Sequence, residues 1–324
     1  MLALLFDFIN GFHDSANAIA TVVATKVLSP LKAVTMAAVF NLLGPFILGT
    51  AIATTIGKGI VNTQIITVNL IFAALLGATL WDLITWYLGL PTSSSHALVG
   101  GLIGSAIPAA GIGSLHASGI ETIIIFMIIS PIVGLVIGFL FALLIMRIFR
   151  KSHPSKINNY FRRLQLFSAA FYSLTHGTND AQKTMGIIAI LLVSTTASAS
   201  SSIDKLPIPL WVIVSCAAAI GLGTFFGGWK IVKTMAQRVT RLRPYQGFAA
   251  ETSSGIVLAV MATMGIPVST THVISSSIMG VGATDKLSAV RWGIARKIVG
   301  AWILTIPAAA LISASTYLII NSIF

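Results

Sequence analysis

Two short acidic motifs lie within apolar stretches of this 324-residue sequence. Asp14 lies in NGFHDSAN and Asp180 lies in THGTND, and each acid follows a glycine, Gly11 or Gly177, at the same spacing. A carboxylate at the centre of a bilayer costs at least about 2.5 kcal/mol on insertion scales, so two at related positions need a compensating role. The alternative is that both acids cap helices at the membrane interface.

Oxygen donors surround both acids. Gly11 and Gly177 favour an unwound backbone that exposes carbonyl oxygens. Carboxylate, amide and carbonyl oxygens together suit a hard monovalent cation such as sodium, and a proton relay is the alternative. Glu251, in the apolar stretch GFAAETSSG, is a further candidate for a coupling cation, unless it forms an interfacial salt bridge with Arg243. The amide oxygens come from Asn10, Asn17 and Asn179.

A second pair of motifs places a proline before a run of hydroxyl residues, in PTSSSH at 91–96 and PVSTTH at 267–272. Proline favours the first turn of a helix, whose free backbone N–H groups and partial positive charge attract anions. Two such starts facing each other could hold a tetrahedral oxyanion, unless the hydroxyls only cap the helices. The hydroxyl residues are Ser93, Ser94, Ser95, Ser269, Thr270 and Thr271.

Basic and aromatic side chains beside these motifs allow two interpretations. Lys183 neutralises Asp180 or contacts an anionic substrate. The Ser-x-x-His spacing invites a hydrolase interpretation, but no nucleophile elbow marks either copy, and repeat symmetry explains the spacing. We therefore expect His96 and His272 to bond to backbone groups inside the bundle.

The composition predicts the elements that position these residues. Charged residues supply only 9% of the chain, apolar residues supply 56%, and the mean hydropathy is +0.94. With so few charged residues, the chain could not present a polar surface to water as a soluble protein does. We therefore predict an all-α integral membrane protein in a lipid bilayer. In a membrane protein, a net charge of +12 indicates basic loops on the cytoplasmic side. Because the loops account for the charge, no nucleic acid partner is expected.

The chain repeats itself in order. NGFHDSANA at 10–18 resembles HGTNDAQKT at 176–184, and GLPTSSSH at 89–96 resembles GIPVSTTH at 265–272. The matches predict a first repeat over 1–146, a basic cytoplasmic linker over 147–163 and a second repeat over 164–324. Long apolar candidates for membrane spans lie near 33–56, 67–89, 121–146, 208–229 and 298–320, and shorter or interrupted ones lie near 3–25, 91–108, 164–192, 245–265 and 267–284.

Loop charge predicts that the repeats are inverted. Segment 230–243 holds five basic residues where its counterpart near 55–67 has one, and 286–297 holds four where 110–121 has none. Because basic loops stay inside, equivalent loops face opposite sides. We predict about five membrane-traversing units per repeat, with broken helices and re-entrant or short helical hairpins, and both termini outside.

These residues together resemble the inorganic phosphate transporter (Pit) family of secondary carriers. The resemblance rests on GFHDSANAIAT, THGTNDAQKTMG and the paired LPTSSSH and IPVSTTH segments, and it covers nearly the whole chain. It implies import of inorganic phosphate across the cell membrane coupled to sodium, with proton coupling or a sulfate permease as alternatives, and a homodimer. Two more remote alternatives are an anion channel and an intramembrane hydrolase. A channel would give the paired acids no role, and a hydrolase would need a distinct nucleophile that the sequence does not show.

The resemblance also bears on individual residues. Asp14, Asn17, Asn179 and Asp180 match its signature positions, Ser93 and Ser269 match serines of phosphate handling, and Glu251 matches a functionally important acid. One departure is Asn41, where animal members carry an acid. The predicted phosphate ligands are Ser93, Ser94, Ser95, Ser269, Thr270, Thr271, Asn17 and Lys183. The predicted sodium ligands are Asp14, Asn10, Asn17, Asn179, Asp180 and Glu251. No enzyme activity is expected, and no cofactor beyond the coupling ion.

Overall fold

The computed structural model describes residues 1–47, 49–195 and 206–323. These residues form twelve α-helices and no β-strand, apart from one isolated bridge between Val61 and Leu115. The helices are α1 Leu2–Ala24, α2 Pro30–Leu43, α3 Ala51–Gly59, α4 Val68–Leu88, α5 Ser94–Ala110, α6 Ala117–Ile148, α7 Pro154–Thr195, α8 Leu210–Phe226, α9 Trp229–Lys233, α10 Pro244–Thr263, α11 Thr270–Ala283 and α12 Trp292–Ile323. The predicted all-α class is confirmed.

Prolines and glycines set several helix ends. Pro30, Pro154 and Pro244 open α2, α7 and α10, where the missing N–H of proline removes no hydrogen bond. Gly89 ends α4 at a φ of 67°, a left-handed conformation that residues with a Cβ rarely adopt. The turn at Gly89 therefore leads directly into the hydroxyl motif that opens α5.

Helix length and apolar composition identify three spans, or at most five, fewer than the ten predicted units. In the described ranges, α4, α6 and α12 are each long and apolar enough to cross a membrane. Two bent pairs, α2 with α3 and α8 with α9, each add one if a pair counts as a single span. The predicted stretch 33–56 is therefore interrupted between Leu43 and Ala51. The other helices are shorter or carry buried polar residues, and their crossing of the membrane stays a prediction.

Helices α1 and α7 lie at the centre of the bundle. α1 packs mainly on α8, and the 42-residue α7 packs on α2, α3 and α10. The C-terminal part of α1 joins α10 and α11 in one apolar core, and the C-terminal part of α7 joins α4 and α5 in another. The two acidic motifs, one on each central helix, are thus enclosed on all sides by other helices.

The last helix of each predicted repeat packs against the opposite repeat. α6 lies on α10 and α11, and α12 lies on α4 and α5. Glycines permit backbone contact at both places, because a Cβ at Gly104 would overlap the backbone of Ala310 and one at Gly280 that of Leu135. The segments 1–146 and 164–324 are therefore interlocked.

The prediction of an unwound backbone at Gly11 and Gly177 is wrong. α1 and α7 continue without interruption through both positions. A Cβ at Gly11 would overlap the backbone of Ile220 in α8, and one at Gly177 would overlap the backbone of Asn41 in α2. These glycines permit close helix packing, so backbone carbonyls beside the acids remain in the helical hydrogen-bond ladder.

Loops that were predicted on the same side of the membrane contact each other. The N–H of Asn62 donates to the carbonyl of Ser114 at 2.8 Å, which joins two loops predicted outside. The N–H of Arg291 donates to the carbonyl of Val239 at 2.9 Å, which joins two loops predicted inside. These contacts pair the loops, while the assignment of inside and outside stays a prediction.

Candidate functional site

The two repeated acids meet where α1 packs against α7. Asp14, His176 and Asp180 each place one ligand atom within 4.8 Å of the others, and all three side chains are buried. Two carboxylates this close repel each other unless a proton or a cation lies between them. The cluster can therefore bind a cation, as predicted for Asp14 and Asp180.

A histidine lies beside each acid. His13 Nδ1 is 2.6 Å from Asp14 Oδ1, and His176 Nε2 is 3.2 Å from Asp180 Oδ2. His176 Nδ1 is in turn 3.3 Å from Oδ1 of Asn41 in α2. The sequence analysis missed His176, although its spacing of four residues from Asp180 places both on one helix face.

The start of α11 contributes hydroxyls to both acids. Thr270 Oγ1 donates to Asp180 Oδ2 at 3.2 Å, and Thr271 Oγ1 donates to Asp14 Oδ2 at 3.4 Å. Asn17 Nδ2 donates to Thr271 Oγ1 at 2.8 Å. The second hydroxyl motif and the two acidic motifs, far apart in sequence, thus form one site.

Lys183 joins this site to the start of α5. Its Nζ donates to Asp180 Oδ1 at 2.6 Å, to the Ser95 hydroxyl and to the Val268 carbonyl at 3.2 Å. An ammonium group has three protons, so all three are used. The structure therefore shows the neutralising interpretation of Lys183, and the lysine also supplies positive charge between α5 and α11.

The hydroxyls that precede α5 and α11 are helix caps. Ser93 Oγ accepts from the N–H of His96 at 3.3 Å, and Ser269 Oγ accepts from the N–H of His272 at 3.1 Å. Each still carries a proton that it can donate to an anion. The buried Ser94 hydroxyl differs, because it has no hydrogen-bond partner in the part of the chain that the structure describes.

Three asparagine side chains offer oxygens to the centre of the bundle. Asn10, Asn17 and Asn179 are at most 2% exposed. Their Oδ1 atoms accept no hydrogen bond from any described residue. Buried acceptors are normally satisfied, so these three amide oxygens, on the helices that carry the acids, are available to an electropositive ligand.

Glu251 belongs to a neighbouring cluster. Gln165 Nε2 donates to Glu251 Oε1 at 3.0 Å, and the Ser168 hydroxyl donates to Oε2. The Thr25 hydroxyl donates to Gln165 Oε1 at 2.9 Å and links this cluster to α1. Glu251 thus lies in the interior with α7 residues, and within the described residues it forms no ion pair with Arg243.

The rings of the two histidines in the hydroxyl motifs pack edge to face. The rings of His96 and His272 are 4.7 Å apart between centroids, and His272 stacks on Trp302 at 3.9 Å. Neither ring nitrogen of His272 has a hydrogen-bond partner among residues of the described ranges. The backbone of Met127 lies close enough to act on the His272 ring, so the expected bond to backbone stays a prediction beside this aromatic packing.

Comparison with known proteins decides the family. Residues 10–158 and 149–313 match the phosphate transporter family. The chain belongs to the phosphate transporter family. It is 49% identical to a "Probable low-affinity inorganic phosphate transporter" of Rhizobium meliloti, over 98% of this chain and 93% of that protein. It is 47% identical to a protein of the same name in Bacillus subtilis, over 99% of this chain and 96% of that one.

A solved structure supports the same assignment. This phosphate transporter superposes on "The sodium-dependent phosphate transporter" with a TM-score of 0.87 and 25% identity, over 100% of this chain and 98% of the other. The predictions of a phosphate transporter, of a multi-pass membrane protein and of a protein other than an enzyme are thereby confirmed.

Proposed function

We propose that this phosphate transporter imports inorganic phosphate together with sodium and binds phosphate between the starts of α5 and α11. One observation carries the proposal: both helix starts reach the same pair of acids. Ser95 of α5 connects to Asp180 through Lys183, and Thr270 and Thr271 of α11 donate directly to the two acids. Helix starts bind anions through free N–H groups, so two of them around one point fit a tetrahedral oxyanion.

The proposed phosphate ligands surround this point from three helices. Ser94 has a free hydroxyl, and Ser93 and Ser269 each keep a proton to donate. Asn17 adds an amide donor from α1, and Lys183 adds the positive charge of its ammonium group from α7. The full proposed set is Ser93, Ser94, Ser95, Ser269, Thr270, Thr271, Asn17 and Lys183.

Sodium is the proposed coupling ion because of the amide oxygens. Asn10, Asn17 and Asn179 keep unsatisfied amide oxygens on the same helices, α1 and α7, that carry Asp14 and Asp180. A proton needs a carboxylate but no amide oxygen, whereas sodium needs several oxygen ligands. The solved neighbour's name, which specifies sodium dependence, also supports this ion. Glu251 is the proposed ligand of a further cation in its own cluster.

Electrostatics explains why phosphate and sodium must bind together. A phosphate charge about 5 Å from one bare carboxylate is repelled by about 3 kcal/mol at an effective dielectric constant of about 20. That repulsion lowers the affinity roughly a hundredfold. A sodium ion between Asp14 and Asp180 cancels it, and by linkage phosphate must tighten sodium binding by the same factor.

We further propose two inverted repeats, with both termini outside and phosphate carried into the cell. The interlocked packing of α6 and α12 and the paired loops support a related arrangement of the two segments. Equivalent motifs also approach the site from opposite segments. A homodimer stays a prediction from the family resemblance.

Uptake into proteoliposomes tests this function. We expect labelled phosphate to accumulate under an inward sodium gradient, to remain low in choline, and to be competed by unlabelled phosphate better than by sulfate. Asp14→Asn should abolish the sodium dependence, whereas Glu121→Gln, an exposed acid of α6, serves as the matched control. Accumulation driven by a pH gradient without sodium would establish proton coupling, stronger competition by sulfate would establish a sulfate permease, and equilibration without accumulation would establish a channel.

A further inference from the structure

Five carboxylates and one lysine are buried among the described residues. The acids are Asp7, Asp14, Asp82, Asp180 and Glu251, and the lysine is Lys183. Lys183 already pairs with Asp180 at 2.6 Å. Among the described residues, none of the other four acids pairs with a lysine or arginine, and charge at membrane depth is costly when it is unpaired.

Asp82, in α4, is the acid with the fewest partners. Its side chain is 0% exposed, and neither carboxylate oxygen accepts a hydrogen bond from a residue that the structure describes. Each of the other four acids has at least one such partner, for example Thr184 for Asp7. The charged or titratable groups that act on Asp82 are His13 and Asp14 of α1 and Asp180 of α7, so its surroundings are mainly negative.

Two buried hydroxyls adjoin this carboxylate. Ser94, in the first turn of α5, lies close enough to act on Asp82 as a side-chain hydrogen-bond donor, although the contact is not a hydrogen bond of good geometry. Thr79 lies one helical turn before Asp82 on the same face of α4. Both hydroxyl oxygens are without a hydrogen-bond partner in the described part of the chain. These three oxygen groups share a region and make no hydrogen bond of good geometry, so their lone pairs stay available to a common ligand.

The chemistry of that ligand follows from the atoms. The set contains one carboxylate and two hydroxyls, with no nitrogen or sulfur, which suits a hard cation. A proton would neutralise Asp82 but leave the oxygens of Thr79 and Ser94 as they are. Sodium takes several oxygen ligands and satisfies all three groups at once.

We propose that Asp82, Thr79 and Ser94 bind a sodium ion that is carried with phosphate, in addition to the sodium at Asp14 and Asp180. The proposal rests on the sodium-coupled transport proposed above and names a further ion in it. Because Ser94 also belongs to the proposed phosphate site, this ion neutralises phosphate from the α4 side.

The number of sodium ions carried with each phosphate tests the proposal. Parallel uptake of ²²Na and ³²P into proteoliposomes at a clamped membrane potential gives this ratio. We expect Asp82→Asn to lower it by one, because asparagine presents no charge to neutralise, and Glu121→Gln to keep the wild-type ratio. An unchanged ratio in Asp82→Asn would overturn the proposal, and so would the loss of one proton, followed with an internal pH dye, instead of one sodium.

A second variant keeps the acid and removes a ligand. Thr79→Val has a similar volume, and we expect it to raise the sodium concentration for half-maximal uptake by about tenfold, equivalent to one lost ligand interaction. A purely structural threonine would change thermal stability and leave this sodium concentration unaltered, which would remove Thr79 from the site. Failure of sodium coupling itself is recognised separately, because the wild-type protein would then take up phosphate equally in choline.

Discussion

The buried pair of Lys183 and Asp180 offers a quantitative test of how the site is held together. Their Nζ and Oδ1 atoms are 2.6 Å apart, and both side chains are 1% exposed. At an effective dielectric constant of about 20, their attraction is about 6 kcal/mol before desolvation is subtracted. Removing one partner of a buried pair costs about 3–5 kcal/mol. We expect Lys183→Met to lower the free energy of unfolding by that amount, because it leaves Asp180 unpaired beside Asp14.

A double-mutant cycle isolates this interaction. The four proteins are the wild type, Lys183→Met, Asp180→Asn and the double variant, and their free energies of unfolding are measured in mixed micelles with sodium dodecyl sulfate. We expect the double variant to be more stable than Lys183→Met and the coupling energy to be about 2–3 kcal/mol. Lys286→Met, at an exposed lysine, is the control and should change stability by less than about 0.5 kcal/mol.

Two results would refute this reasoning. If Lys183→Met were as stable as the wild type, the ammonium group could not be neutralising Asp180 in the folded protein. If the cycle were additive, the two side chains would act independently. In either case the role of Lys183 would be confined to phosphate, and the 2.6 Å contact would not stabilise the fold.

Further predictions follow from the helix starts, the close packing and the loops. Ser93→Ala combined with Ser269→Ala should raise the phosphate concentration for half-maximal uptake at least about tenfold, since charge-assisted hydrogen bonds contribute about 1.5–3 kcal/mol each; unchanged uptake kinetics would remove both serines from the site. Gly177→Ala should destabilise the protein by about 1–3 kcal/mol in the same micelle assay, because its Cβ meets the backbone of α2; stability equal to wild type would contradict that contact. On a Cys216→Ala background, a cysteine at 290 should be labelled only from the inside, and labelling from the outside would reverse the proposed topology.

The sequence predicted much of the site because its motifs occur twice. Buried acids and hydroxyl-rich helix starts need partners, and repetition indicated that both copies serve one site. The structure brings Asp14, Asp180, Thr270 and Thr271 together within hydrogen-bond distance. Residue type and spacing were sufficient for this, since each group has a chemical requirement that few other residues in the chain could meet.

Backbone geometry was harder to predict. Hydropathy gives no sign that the apolar stretch 33–56 is interrupted, and only Gly44-Pro45 marks the end of α2 at Leu43. Gly11 and Gly177 allow either an unwound backbone or close packing, and only the neighbouring helices decide between them. A single sequence does not contain the identity of those neighbours.

The contacts of individual residues around the site could not all be predicted from the sequence. Asp82 lies between two tryptophans, and an interfacial position fitted that pattern as well as a buried one. Its burial depends on α5 and on the central helices, which contact α4 from distant parts of the chain. His176 could have been found from helical spacing, whereas the lack of a hydrogen bond at Ser94 required the three-dimensional arrangement.

The position of α12 on α4 and α5 has a consequence for biogenesis. While the chain is being synthesised, α4 and α5 enter the membrane long before their packing partner exists, and the small-residue surface around Gly104 faces lipid or the insertion machinery. By contrast, the packing partners of α6, which are α10 and α11, are synthesised before α12. The carbonyl of Pro91, just before α5, therefore gains its hydrogen bond from Trp302 only after the last helix has been made. A chain that lacks α12 would leave the α4–α5 surface uncovered.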